Sequence, residues 1–216
     1  SVKSGRQVSV NKGAWDKSAG LESDFAFHQA WLEQCQRLLK KDGTIFVSGT
    51  YHSIYQCGFA LQSLGYRILN DISWFKPNAA PNLSGRSFAA SHETIIWAAK
   101  SSKSKHTFNY EDMKHGEFSG DQLKNPGKQM RSVWSIPSTP LREKSFGQHP
   151  TQKPESLLDR IIRAASNEGD TVLDPFLGSG TTGVSALKNR RRFLGIEIDP
   201  QFLQLANERI SNVENN

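Results

Sequence analysis

The stretch Thr-Val-Leu-Asp-Pro-Phe-Leu-Gly-Ser-Gly-Thr-Thr, residues 171–182, decides the fold. A short apolar run ends at an acidic residue, Asp174, and a turn with Gly178 and Gly180 follows before two threonines open a helix. Glycine lets the backbone approach a small ligand closely, and the free N–H groups of a helix start can face that ligand. The pattern therefore predicts a strand, a tight turn and a helix N-terminus that together hold a small molecule.

A second acidic strand end follows at Glu197, in the run Phe-Leu-Gly-Ile-Glu of residues 193–197. In a doubly wound sheet, a glycine turn and a carboxylate at the tip of the next strand hold an adenosine and its ribose hydroxyls. The glycine spacing is not the Gly-x-Gly-x-x-Gly of dinucleotide sites, and Asp174 would oppose a pyrophosphate. A nicotinamide-dependent oxidoreductase is therefore disfavoured. A carboxylate suits a cationic ligand, and S-adenosylmethionine carries an ammonium and a sulfonium.

A second motif, His-Pro-Thr-Gln-Lys-Pro at residues 149–154, lies about two dozen residues upstream of the glycine turn. The two motifs in this order resemble the amino-methylating DNA methyltransferases of the β class. The resemblance extends over essentially the whole chain, through Trp15-Asp16 and residues 44–48, 74–78 and 92–97. The chain is similar in particular to the second adenine-N6 methyltransferase of DpnII-type restriction systems. That likeness implies the target GATC and tolerance of single-stranded DNA.

The resemblance also implies a fold, a cofactor and its binding residues. The fold is the α/β, Rossmann-like fold of S-adenosylmethionine-dependent methyltransferases, a mostly parallel twisted sheet with helices on both faces. Asp174 would meet the methionine ammonium, and Glu197 would accept both ribose hydroxyls. We predict no metal site. The predicted cofactor-binding residues are Asp174, Pro175, Phe176, Gly178, Ser179, Gly180, Thr181, Thr182, Glu197, His149, Thr151, Gln152 and Lys153.

The predicted partner is DNA, double- or single-stranded. A formal net charge of +6 and a pI near 9.4 favour a polyanionic partner. Residues 100–140 correspond to the variable target-recognition region of the family, and nothing in them states a base code. Trp74 fits equally well an aromatic that stacks on a displaced base and a core residue. The predicted DNA-binding residues are Trp15, Lys76, Asn78, Arg86, His92 and Lys128.

The catalytic tetrapeptide of the family, Asp-Pro-Pro-Tyr or a close variant, is absent from the 216 residues. In the related fold it ends a strand in the middle of the sheet, and a parallel sheet without a central strand leaves backbone groups unpaired. We therefore expect the protein to continue upstream of Ser1, with the catalytic motif there and no catalytic residue in this chain. Residues 1–216 would form one methyltransferase domain.

Two alternatives stay open. The same motifs serve N4-cytosine methyltransferases, and a cofactor- and DNA-binding subunit without activity would also fit the missing tetrapeptide. Many relatives pair as dimers, so a homodimer is a further expectation by analogy.

Composition agrees with a cytoplasmic protein. Apolar residues make up 36% of the chain and charged residues 22%, which does not suggest disorder. No apolar run approaches the ~18–20 residues that span a bilayer, and no signal peptide opens the chain. Cys35 and Cys57 lack metal-type spacing and are expected to be reduced and half-buried.

Hydrophobic periodicity predicts alternating helices and strands. Phe27, Trp31 and Leu38 share one face of the first helix, and Asp199 caps the last. Residues 105–148 show no clean period. The predicted helices cover 24–41, 53–64, 180–189 and the segments that begin at Pro154 and Pro200, and the predicted strands cover 44–48, 66–74, 92–99, 171–176 and 192–197.

Overall fold

Helices and strands alternate along the chain as the hydrophobic pattern predicts. The computed structural model describes residues 18–118 and 120–214. These residues divide into two compact units. The first comprises the described residues up to Thr107, with Gln122–Lys124 and Arg131–Ser135. The second comprises the described residues of Phe108–Asp121, Asn125–Met130 and the chain from Ile136 onward.

A four-stranded sheet is the centre of the first unit. Its strand order is β1-β3-β2-β4. The elements of the unit are α1 (Leu21–Leu38), β1 (Thr44–Gly49), α2 (Ile54–Ser63), β2 (Arg67–Phe75), β3 (His92–Ala99) and β4 (Val133–Ser135).

Strand directions differ from the predicted mostly parallel sheet. β3 runs antiparallel to both β1 and β2, and in this unit only β2 and β4 pair in parallel. β2 and β3 form a hairpin, in which Phe75 lies opposite His92 and Lys76 N donates to Ser91 O at 2.8 Å. A parallel pair of strands needs a crossover connection, which is usually a helix. The loop between β2 and β3 contains no helix, so the chain turns back and the two strands are antiparallel.

The core of the first unit joins α1 and α2 to the sheet. Leu32 and Leu61 are fully buried, and the Tyr66 hydroxyl donates to Leu32 O at 2.9 Å. The predicted apolar face of α1 is wrong at two positions, because Phe27 and Leu38 are exposed. The buried residues of α1 are Leu32 and Cys35, so the helix turns a different face to the core.

Cys35 and Cys57 are both buried thiols, so they lie deeper than the half-buried positions predicted for them. Burial raises the pKa of the Cys57 thiol to about 11. This thiol is therefore protonated at neutral pH and unsuited to act as a nucleophile.

The second unit consists mainly of helices, with a two-stranded parallel sheet formed by β5 (Thr171–Asp174) and β6 (Arg192–Gly195). The Asp199 carboxylate accepts from Gln201 N at 2.8 Å, as predicted for the cap of the last helix. Within residues 18–118 and 120–214, no helix is both long and apolar enough to cross a membrane. The elements are α3 (Tyr110–His115), a 3₁₀ turn (Leu141–Lys144), α4 (Glu155–Ala165), β5 (Thr171–Asp174), α5 (Thr181–Lys188), β6 (Arg192–Gly195) and α6 (Pro200–Glu214).

Ion pairs fasten the segment around α3 to α4, where the sequence shows no periodicity. The Arg160 guanidinium donates to Asp121 at 2.6 Å, and both side chains are almost completely buried. Arg163 Nε and Nη2 donate to the two oxygens of the Asp112 carboxylate at 3.0 and 2.5 Å. The Phe118 ring lies 4.9 Å from the Arg160 guanidinium and 4.5 Å from that of Arg163. Charge and stacking thus hold this segment together with one buried apolar side chain, Met113.

Two helical glycines allow a matched test of the packing. A Cβ at Gly183 in α5 would lie 2.6 Å from Ile210 Cδ1 and 2.7 Å from Phe193 Cε1, whereas a Cβ at Gly58 in α2 would meet only Ile96 Cδ1, at 3.2 Å. We expect Gly183→Ala to destabilise the protein by about 1–3 kcal/mol through overpacking. Gly58→Ala gains up to about 1 kcal/mol of helix propensity and should change stability little. Urea denaturation checks both, and equal effects would contradict this packing.

Candidate cofactor pocket

A left-handed turn joins β5 to α5 and forms the centre of the candidate site. Gly178 and Gly180 have φ angles of +53° and +76°, which L side chains rarely adopt. A Cβ at Gly178 would lie 3.2 Å from His149 Nε2, and one at Gly180 would lie 2.9 Å from Ala206 Cβ. Both glycines are therefore required by backbone conformation and by close packing.

The Asp174 carboxylate is held by the turn that follows it. One oxygen accepts from Phe176 N at 3.0 Å, and the other accepts from Thr182 Oγ1 at 2.6 Å. Burial raises the pKa of the Asp174 carboxyl, and these two hydrogen bonds act in the opposite direction. An oriented, poorly solvated carboxylate at a strand end suits a cationic ligand, because a bound ammonium would restore the lost solvation of the charge.

The Glu197 carboxylate connects the end of the β6 segment to the glycine turn. Oε2 accepts from Gly178 N at 2.7 Å, and Oε1 accepts from Ile198 N and Asp199 N, each at 2.9 Å. The predicted ribose acceptor is thus already oriented by three backbone N–H groups. Each carboxylate oxygen has two lone pairs, so Oε1 is filled by its two donors and Oε2 can still accept a hydroxyl group of a ligand.

His149 brings the second motif to the same turn. Its ring lies edge-on to Phe202 of α6, with the ring centroids 4.2 Å apart, and Nδ1 lies 3.3 Å from Thr151 N. Burial, reinforced by Lys153 and opposed by the Glu197 charge, lowers the pKa of the His149 imidazole. The lowered pKa favours the neutral form of the imidazole at pH 7. Motifs separated by about two dozen residues in sequence meet at Gly178.

Gln152 links the second motif to the 3₁₀ turn. Its Nε2 donates to Glu143 O at 2.7 Å, and its backbone carbonyl accepts from Thr139 Oγ1 at 2.6 Å. Its Oε1 is buried and has no hydrogen-bond partner among the described residues. An oriented acceptor without a partner is consistent with a site that a ligand completes.

The remaining predicted cofactor residues divide by exposure. Ser179 and Thr181 are buried, with their hydroxyl oxygens 3.2 Å apart, and they support the turn from inside. Phe176 is 55% exposed and presents its ring at the surface of the turn.

Sequence reasoning missed two charged residues at this site. Arg209, on the buried face of α6, donates to Ser179 O, and Glu143 accepts from Glu155 N at 2.9 Å. The sequence contains a signal for Arg209. By helical spacing it lies on the same face as Leu205, Ala206 and Ile210, where an apolar residue is expected.

Four predicted DNA-binding residues fall on or beside the loop that joins β2 to β3. Three of them are exposed: Asn78, Arg86 and His92. The fourth, Lys76, forms an ion pair with Glu93, and its ammonium lies 4.5 Å from the centre of the Trp74 ring. Trp74 is 2% exposed. Of the two roles that the sequence allowed, stacking on a displaced base and packing in the core, this burial supports the core.

The two remaining predicted DNA-binding residues are Lys128 and Trp15. Lys128 is exposed and belongs to the second unit. Trp15 lies outside the described residues.

Comparison with known proteins shows the family of the chain. The family model of the N6/N4 DNA methylases matches residues 4–208. The chain belongs to this family. The family prediction is thereby confirmed.

Three curated relatives are similar over nearly the whole chain. The type II methyltransferase M2.DpnII of Streptococcus pneumoniae is 48% identical over 207 residues, which is 95% of this chain and 74% of the relative. M2.LlaDCHI of Lactococcus lactis subsp. cremoris is 49% identical over 96% of this chain and 74% of its own length. M2.MboI of Moraxella bovis is 45% identical over 95% of this chain and 72% of its own length.

Solved structures of DNA methyltransferases share the fold. M1.HpyAVI in complex with S-adenosylmethionine superposes with a TM-score of 0.70 at 29% identity, covering 88% of this chain and 85% of that one. The cytosine-N4-specific PvuII methyltransferase also gives 0.70, at 19% identity, with 93% of this chain and 79% of that one covered. The predicted class of fold is confirmed.

The residues present fit S-adenosylmethionine. Asp174 offers a half-buried, oriented carboxylate for a cation, and Glu197 offers an oriented acceptor for a hydroxyl. This donor set matches the ammonium and the ribose of the cofactor.

The Glu143 carboxylate offers a test of the electrostatics near the site. Burial is the main cause that raises its pKa in the folded protein. Its stabilising contribution is therefore fully present below the unfolded pKa and is lost as pH rises through the folded pKa. Gln can still accept from Glu155 N and never ionises. We expect the difference in melting temperature, Glu143→Gln minus wild type, to increase as the pH is raised from 4 to 7. Calorimetry measures both melting temperatures.

The matched control is Glu168→Gln, at an exposed carboxylate paired with Arg190. Surface pairs of this kind contribute about 0–1 kcal/mol, so this variant should follow the wild type at every pH. A Glu143→Gln difference that stays constant with pH would contradict the role of burial.

Proposed function

We propose that this protein transfers a methyl group from S-adenosylmethionine to adenine N6 in GATC sequences of DNA, as part of a restriction-modification system. The methyl donor and the reaction class follow from membership of the family. The adenine target and GATC rest on the resemblance to the second adenine methyltransferase of DpnII-type systems. Identities of 45–49% to three type II methyltransferases support this choice.

The observation that carries the proposal is the meeting of both motifs at Gly178. Glu197 accepts from its N–H, and the ring of His149 lies against its Cα. Two sequence signals that are independent of each other thus lead to one pocket, whose carboxylates are oriented by backbone and threonine donors. An accidental glycine turn would have no reason to contact the second motif.

The residues of this chain serve to bind and orient. When bound, the cofactor supplies a methyl group activated by a positive sulfonium. The bond from sulfur to the methyl carbon breaks as the bond from the base nitrogen forms, and the amine then releases a proton. Asp174 would hold the ammonium and Glu197 the ribose, which fixes the methyl carbon for in-line attack. Catalysis by such a site is mainly alignment and charge placement.

No covalent enzyme intermediate is needed for this reaction. The Cys57 thiol is buried and protonated at neutral pH. Direct transfer to the exocyclic amine is consistent with that state.

DNA would be contacted through the loop between β2 and β3. Arg86 and His92 are exposed there and could meet phosphates, with Asn78 beside them. Lys76 is held by Glu93, so a role for it in DNA binding would require exchange of that partner. We infer in addition a cytoplasmic location and a homodimer, the latter by analogy with relatives.

The reaction is tested by tritium transfer from labelled S-adenosylmethionine, with the complete product of the gene. We expect label to enter duplex and single-stranded oligonucleotides that contain GATC, and not the same oligonucleotides with GATC permuted. Nucleoside analysis should yield N6-methyladenine. N4-methylcytosine would support the cytosine alternative. Cofactor binding without any transfer would support an inactive subunit.

The role of Glu197 is tested by Glu197→Gln. The amide is neutral and has one acceptor oxygen in place of two, and hydrogen bonds to charged groups contribute about 1.5–3 kcal/mol. We expect affinity for S-adenosylmethionine to fall about tenfold or more. Titration calorimetry measures it, with Glu168→Gln as an exposed control. Unchanged affinity of Glu197→Gln would rule out the ribose assignment.

A further inference from the structure

Arg209 is a buried charge on the face of α6 that packs against the glycine turn. The exposed fraction of this residue is 4%. It lies about one helical turn after Ala206, whose Cβ is 2.9 Å from the position that a Cβ at Gly180 would take. Burying a guanidinium is costly unless its donors are used. Burial accordingly is the main cause that lowers the pKa of Arg209, opposed by the charges of Glu155 and Glu143. Arginine remains charged in proteins even so.

The donors of Arg209 reach two separate segments. Nη1 donates to Ser179 O at 2.6 Å and to Thr181 Oγ1 at 3.0 Å, and Nη2 lies 3.4 Å from Glu155 Oε1. Ser179 and Thr181 belong to the glycine turn and the start of α5. Glu155 is the first residue of α4, directly after the His-Pro-Thr-Gln-Lys-Pro motif. One guanidinium therefore fastens both predicted parts of the cofactor pocket.

Packing alone does not require this arrangement. An apolar side chain could fill the same volume, and buried ion pairs are often replaced by hydrophobic residues without loss of stability. Such a replacement would leave Ser179 O, in the glycine turn, without the charged donor that now orients it. The planar guanidinium of Arg209 fixes the positions of its acceptors, which indicates that this residue serves to hold the conformation of the turn.

We propose that Arg209 is a positioning residue for the methyl donor, which sets the glycine turn against the start of α4 before the cofactor binds. The assignment rests on the proposed function. Arg209 is buried and donates to Ser179 O and Thr181 Oγ1 of the turn, so its effect is expected in cofactor affinity and in the KM for cofactor. The KM for DNA should be unaffected.

The test compares Arg209→Met, Arg209→Lys and a matched control, Arg191→Met. Arg191 is also buried and donates to the carbonyls of Ser166 and Asn189, at 2.6 and 2.5 Å, but it does not contact the glycine turn. Each variant is checked for a folded state by circular dichroism at low temperature, and its affinity for S-adenosylmethionine is then measured by titration calorimetry.

We expect Arg209→Met to weaken cofactor binding about tenfold or more, on the scale of one charged hydrogen bond. Arg209→Lys keeps the charge and can reach one acceptor, so its affinity should lie between Arg209→Met and the wild type. Arg191→Met should lose stability and bind the cofactor as the wild type does. Equal cofactor affinity of folded Arg209→Met and Arg191→Met would overturn the assignment.

A second pair of variants applies if Arg209→Met does not fold. Glu155→Gln weakens the link at α4 without a cavity, and Lys188→Met removes only the exposed partner of Glu155, which lies 2.6 Å away. We expect Glu155→Gln to weaken cofactor binding about threefold or more, on the scale of a modest hydrogen bond, and Lys188→Met to leave it unchanged. Equal affinity of both variants would count against the positioning role. A wild type that does not bind the cofactor would refute the proposed function instead.

Discussion

The steric constraint at Gly178 and Gly180 determines the arrangement of the second unit. Because neither position has room for a Cβ, the ring of His149 and the backbone of α6 at Ala206 can approach the turn closely. The N–H of Gly178 is then available to Glu197. The loop before α4, α6 and the end of the β6 segment thus converge on one bend of the backbone, and the ligand chemistry of the site derives from that convergence.

Local signals predicted this part of the chain well. β5 and α5 lie where apolar runs and glycines placed them, and α4 begins after Pro154 as expected for a proline-started helix. The residues that hold Asp174 were also within reach of the sequence, because Thr182 is the second residue of the helix that the glycines introduce. Short-range geometry carries most of this information, so a motif is sufficient to find it.

Long-range electrostatics explains what the sequence did not predict. α3 and its flanks are held by Asp112 and Asp121 through the arginines of α4, more than thirty residues away, and charges leave no hydrophobic period. The exposed Phe27 in α1 is the complementary case, because a wide spacing of large side chains suggested a shared face from which Trp31 packs against the core while Phe27 and Leu38 do not. Lys76 looked available for DNA in the sequence, and only its contact with Glu93 shows that it is held.

Arginine recurs at the points where helices of the second unit must be fixed rather than merely packed. Arg160 holds the α3 segment by one carboxylate, and Arg209 holds the glycine turn by a carbonyl and a hydroxyl. An apolar contact tolerates sliding, because the hydrophobic effect has no direction. A planar guanidinium fixes distance and angle together. A site that must align a methyl carbon with a nitrogen gains from that restriction, since small displacements of reacting atoms cost large factors in rate.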